Sequence, residues 1–135
     1  AEIEAIHRRG AAATMATALV ARLHHGDESV DGILCWDLFD FLDRPTGQAL
    51  AARLVKMLRK GGAVYGLFGT TPLELTHYTR FIVEGEHSLR LRPYPATPTR
   101  RTVLLTREIN KMFDALQVVD AMLLKTSTRE TLFRK

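Results

Sequence analysis

The stretch from Asp31 to Thr70, DGILCWDLFDFLDRPTGQALAARLVKMLRKGGAVYGLFGT, restricts the fold of this chain more than any other. Gly32 to Trp36 is a short apolar run behind an Asp-Gly turn signal, too short for an independent helix and rich enough in Ile, Leu and Trp for a buried strand. Pro45 stands where a first helical turn tolerates proline, and Leu50, Leu54, Val55 and Leu58 recur at helical spacing. Lys56, Arg59 and Lys60 suit the negative end of that helix's dipole, and Gly61 and Gly62 are expected to stop it. Ala63 to Phe68 reads as a second buried strand. A hairpin turn cannot join two strands across so long a connection, so they are most simply parallel and the unit is βαβ.

The flanks are read with the same rules. Ala1 to Leu23 is Ala-rich and compatible with one or two short helices, weakened by Gly10, Thr14 and Thr17. His24 and His25 are adjacent, point different ways and have no Cys, Asp or Glu at a metal-ligand spacing, so a loop is expected there. After the second strand, Thr71 and Pro72 look like the cap and first residue of a short helix over Leu73 to Thr79. Tyr78 to Val83 alternates loosely, Gly85 turns the chain, and Ser88 to Arg92 reads as the second arm of a hairpin. Pro93, Pro95 and Pro98 make Arg92 to Arg101 an irregular connection. Arg107 to Leu116 then carries Ile109, Met112, Phe113 and Leu116 at helical period. Val118 to Leu124 and Glu130 to Phe133 follow as an antiparallel pair of strands, turned at Ser127 and Thr128.

Composition excludes several classes. At 135 residues, 46% hydrophobic and 25% charged, the chain is ordinary globular material for at most one domain. No apolar stretch is long enough to cross a bilayer and no signal-peptide pattern appears, so the default location is cytoplasmic. The single cysteine, Cys35, cannot form an internal disulfide and is expected to be a small core residue. The net charge of +4 is mild, and the Arg90, Arg92 and Arg100, Arg101 pairs show no interleaving with aromatic residues, so nucleic-acid binding is not expected. Hydrolase readings fare worst: no Gly-x-Ser-x-Gly elbow occurs, and Ser29, Ser88 and Ser127 fall in expected loops or turns.

The run DGILCWDLFDFL, the helix ending in LRKGG before a strand, and the later helix followed by an antiparallel hairpin resemble the C-terminal half of a class I S-adenosylmethionine-dependent methyltransferase. On that resemblance the fold class is α/β, a partial Rossmann-like sheet. Gly32 to Trp36 is its fourth strand, Ala63 to Phe68 its fifth, Val118 to Leu124 its sixth, and Glu130 to Phe133 its seventh, inserted antiparallel between fifth and sixth. The cofactor would be S-adenosylmethionine, with Cys35, Trp36, Asp37 and Leu38 beside its methionine end. Asp37 or Asp40 would take a proton or orient the acceptor, against the plainer reading that Asp37 caps a turn and Asp40 is solvated. His77 and Tyr78 would line an acceptor pocket, or simply sit on a surface helix.

The glycine-rich loop and the acidic residue with which that family holds its cofactor have no counterpart here. Residues 1–135 are therefore expected to form a single truncated methyltransferase-like domain, inactive alone, with the alternative of a non-catalytic protein-interaction module on the same scaffold. Loss of the first strand would leave the fourth unpaired, so self-association is expected through that edge or through the N-terminal helix.

Overall fold

The computed structural model describes residues 12–135, so the sequence readings over residues 1–11 lie outside the described residues. The chain begins with helix α1 (Ala12–Ala21), strand β1 (Val30–Trp36) and a 3-10 turn (Leu38–Phe41). Helix α2 (Arg44–Met57) and strand β2 (Leu58–Gly69) complete the βαβ unit. Asp43 starts α2, its side chain accepting a hydrogen bond from the Thr46 N–H at 2.8 Å, with proline in the first turn as anticipated. The glycines do not end this helix. It stops at Met57, and Gly61 and Gly62 lie inside β2, where Gly61 has φ 81° and Gly62 has no room for a Cβ between Leu58 and the Asp31 carbonyl. The long strand also starts earlier than its apolar stretch, because Leu58 pairs with Val30.

The largest departure follows β2. In place of a helix over Leu73 to Thr79 and an irregular proline stretch, two long strands run antiparallel: β3 (Glu74–Gly85) and β4 (Ser88–Arg100). Thr76, Tyr78, Thr79, Phe81, Ile82 and Val83 favour extended backbone, and that outweighs the Thr71, Pro72 capping signal. The prolines survive because the ribbon has two strands, so each is an edge with half of its N–H groups turned outward. Pro93 and Pro95 are two residues apart and use the same edge, while Pro98 falls where the register slips opposite Leu75 and His77.

Helix α3 (Thr106–Met112) is shorter than its periodic stretch, since Phe113 to Leu116 continue as turns that still bury Phe113 and Leu116. Glu108 accepts from the Leu105 N–H at 2.7 Å at its start and pairs with Arg44 at 2.9 Å. Strands β5 (Gln117–Leu124) and β6 (Thr128–Arg134) finish the chain, with Ser127 in the turn at φ 54°.

The main sheet has the order β1-β2-β6-β5, β1 parallel to β2 and β6 antiparallel to both neighbours. Its core lies on one face. Val64, Phe68, Phe133 and Cys35 point there and pack with Leu50, Ala51, Leu54 and Met57 of α2 and with Ile109 and Phe113. Phe39 joins that cluster at 5.7 Å from both Phe68 and Phe113, and Phe113 meets Phe133 at 4.7 Å. Strand alternation sends Leu34, Tyr65 and Leu132 to the opposite face, where they are exposed or half-buried. Parallel strands are usually covered on both faces; among the described residues these are covered on one.

Candidate functional site at the carboxyl ends of the parallel strands

β1 and β2 are parallel, so their carboxyl ends meet at the same sheet edge, the place where open α/β sheets hold ligands. β1 ends at Trp36 with φ 51°, a left-handed conformation rarely taken by so bulky a residue. That twist sends the chain through Asp37 into the 3-10 turn. The Trp36 indole stacks on Phe81 of the β3–β4 ribbon, centroids 4.5 Å apart and planes 4° off parallel, and meets Tyr65 edge-on at 5.8 Å. Tyr65 donates its hydroxyl to Glu130 at 2.9 Å, and burial together with that carboxylate pushes its pKa up to about 12. The ribbon is thus pinned over the end of β1.

Asp40 joins three segments at this edge. Its Oδ1 accepts the Gly69 N–H at 2.8 Å, and its carbonyl accepts the Thr102 N–H at 2.9 Å. The turn after β1, the end of β2 and the return from β4 are held by one residue. Arg101 lies close by and donates from Nε to the Thr71 carbonyl and from Nη2 to the Thr71 hydroxyl, each at 2.9 Å, while its N–H bonds the Leu73 carbonyl at 2.8 Å. A Cβ at position 69 would collide with this guanidinium, which is why Gly69 sits there. Asp40 is 6% exposed, so the solvated reading is corrected. Burial pushes its carboxyl up to about 6, in spite of the Gly69 hydrogen bond and the Arg101 charge.

The other sequence-derived residues divide. Cys35 is buried in the core and burial pushes its thiol up to about 12, so it offers no thiolate. Leu38 packs against the same core. Asp37 is half-buried and its carboxyl is raised by burial, with a hydrogen bond from its own backbone working the other way. It is the less committed of the two carboxylates. His77 and Tyr78 lie on β3, not on a helix, and as strand neighbours they face opposite sides. His77 shares the Phe81 side, exposed, its Nδ1 2.9 Å from the Thr76 hydroxyl; Tyr78 stacks on Tyr94 at 5.4 Å on the other. They do not line one pocket.

Phe81, Tyr65 and Gly69 were not singled out from the sequence, and Arg101 was noted only as half of a charged pair with Arg100. Phe81 left a signal in the alternation of Tyr78 to Val83. No group of metal-ligating side chains occurs among the described residues.

The comparisons follow from the sheet order. No protein-family model and no curated protein sequence matches the chain. Solved structures do. An S-adenosylmethionine-dependent methyltransferase from Clostridium acetobutylicum superposes with a TM-score of 0.55 at 12% identity, covering 85% of this chain and 61% of that one. A Burkholderia thailandensis 1,6-didemethyltoxoflavin-N1-methyltransferase, solved with 1,6-didemethyltoxoflavin and S-adenosylhomocysteine bound, gives 0.53 at 16% identity, covering 86% of this chain and 48% of that one. A Methanosarcina mazei S-adenosylmethionine-dependent methyltransferase gives 0.55 at 11%, covering 86% and 64%. The fold is that of the S-adenosylmethionine-dependent methyltransferases.

This chain spans between 48% and 64% of the length of those three methyltransferases. In the methyltransferase sheet β1, β2, β6 and β5 stand as fourth, fifth, seventh and sixth strands, with the seventh antiparallel between its neighbours. The residues present do not fit a whole cofactor. Among the described residues no glycine stands in a strand-to-helix turn, the Trp36 indole is taken by Phe81 and Tyr65, and the Cys35 thiol is buried.

Proposed function

We propose that this chain is the C-terminal portion of an S-adenosylmethionine-dependent methyltransferase, a single truncated domain that does not transfer methyl groups by itself. The observation that carries the reading is the sheet order β1-β2-β6-β5 with β6 antiparallel in the middle, ending at an edge over which the β3–β4 ribbon is folded. The missing cofactor wall would stand beyond β1, whose outer edge has no strand partner among the described residues. On this reading Asp37 is the carboxylate that faces an acceptor and takes its proton, and Asp40 positions the strand ends. His77, on the Phe81 side of the ribbon, is the acceptor-side residue; Tyr78 is not.

A test is to fuse Val30 to Lys135 behind the part of the Clostridium methyltransferase that this chain does not cover. The fusion is expected to bind S-adenosylhomocysteine one to one. A folded fusion that binds none contradicts the reading.

The second reading is an interaction module on the same scaffold, favoured by the free β1 edge and by Leu34, 56% exposed on the uncovered sheet face. The first reading makes self-association through β1 or the N-terminal helix an expected property, whereas an interaction module is expected to be a folded monomer. Sedimentation at high concentration should show a dimer on the first reading, and monomer alone contradicts it.

A further inference from the structure

The two arms of the ribbon place an aromatic and cationic surface on the side turned away from Trp36. The register sets Tyr78 opposite Tyr94, Arg80 opposite Arg92 and Ile82 opposite Arg90. These residues alternate with Phe81, which faces Trp36, so they share the outward face. Each arm carries a tyrosine and an arginine two residues apart, Tyr78 with Arg80 and Tyr94 with Arg92, and the pairing brings the two sets together on one face, an interleaving that the reading of the arginine pairs alone overlooks.

The side chains form an ordered row. Tyr78 and Tyr94 stack with centroids 5.4 Å apart and planes within 19°. The Arg80 guanidinium lies 5.5 Å from the centre of the Tyr94 ring, which extends the row by one planar cation. Glu84 neutralises Arg90 through two bonds of 2.8 and 3.1 Å. Arg92 has no carboxylate partner among the described residues and stands directly opposite Arg80. Like charges paired across strands destabilise a ribbon, and a bound anion relieves them. The wider chain, at net charge +4, does not oppose an anion.

We propose that this face binds a single-stranded polynucleotide, its phosphates at Arg80 and Arg92 and its bases on the tyrosine row. An acidic peptide would satisfy the arginines but has no use for stacked rings. A polynucleotide supplies both a phosphate charge and a planar base at each unit. Single strands are favoured over a duplex because their bases are free to stack. The proposal is independent of the methyltransferase reading, since no residue on this face belongs to the proposed acceptor wall.

The test is fluorescence anisotropy of a short labelled oligothymidylate with the full chain across a salt series. Binding is expected to weaken with salt at a log–log slope of about −1.4, as two neutralised phosphates on a single strand require. Arg80→Gln with Arg92→Gln should flatten that slope and weaken binding about tenfold or more at low salt. Tyr94→Leu should weaken binding about tenfold with the slope kept. Trp36 emission, from the one tryptophan in the chain, reports whether the ribbon stays docked in each variant. No binding at low salt, binding that ignores these variants while the ribbon stays docked, or equal affinity for the matching duplex would each overturn the proposal.

Discussion

Strand β2 of the βαβ unit and the two strands of the β3–β4 ribbon are of similar length, yet they are held in place by different means. β2 is fixed by a core in which Leu58, Val64 and Phe68 are at most 2% exposed. The ribbon has no core of its own: Val83, Leu89 and Leu91 are between 50% and 61% exposed. Its position depends on the Trp36–Phe81 stack and on the Asp40, Gly69 and Arg101 junction at its base. An extended segment can therefore be long and regular while contributing little to global stability.

Substitutions can break this contrast. Phe113→Ala removes a ring that touches both Phe39 and Phe133, and is expected to cost about 3–5 kcal/mol in urea unfolding. A loss as small as that of a ribbon variant would show that the core is not where stability resides.

Asp40 gives a pH test of the junction. Its folded pKa of about 6 lies above the ordinary 3.8, so between those values the native state holds a proton that the unfolded state has released. Its contribution is full below the lower value and is lost as pH rises through the upper one, at most about 3 kcal/mol. Urea midpoints across this window should fall with rising pH in the parent chain more steeply than in Asp40→Asn. Identical slopes would remove Asp40 from the account.

Phe81→Ala is expected to cost about 1–2 kcal/mol or less while changing Trp36 emission and raising amide exchange throughout β3 and β4. Exchange that rises equally in β2 would mean the two regions unfold as one. The smallest effect is expected from Glu84→Gln, which breaks an exposed ion pair and should cost under about 0.5 kcal/mol.

The same contrast explains what could be read from the sequence. Core-facing side chains repeat with the period of their element, so the parallel strands, α2 and β6 were legible from Leu50, Leu54, Val64 and Phe133, while β5, none of whose side chains is buried, was legible only as the apolar run Val118 to Leu124. The inner part of the ribbon was legible too, since Tyr78 to Val83 and Ser88 to Arg92 are its antiparallel arms about Gly85, but its outer ends were hidden by the prolines and the Thr71, Pro72 pair, which gave misleading local signals. At the site, Asp37 and Asp40 were legible as carboxylates near a strand end. That Asp40 is buried on the Gly69 N–H was not, because its partner lies 29 residues away and is a backbone group. Arg101 was hidden for the same reason, bonding Thr71 across 30 residues.

On the proposed function this chain carries one wall of a methyltransferase cofactor site. Calorimetric titration of the folded chain with S-adenosylmethionine and S-adenosylhomocysteine tests it most directly. No saturable heat is expected from either. One-to-one binding by the chain alone would contradict it and would make Cys35 to Leu38 the first residues to mutate.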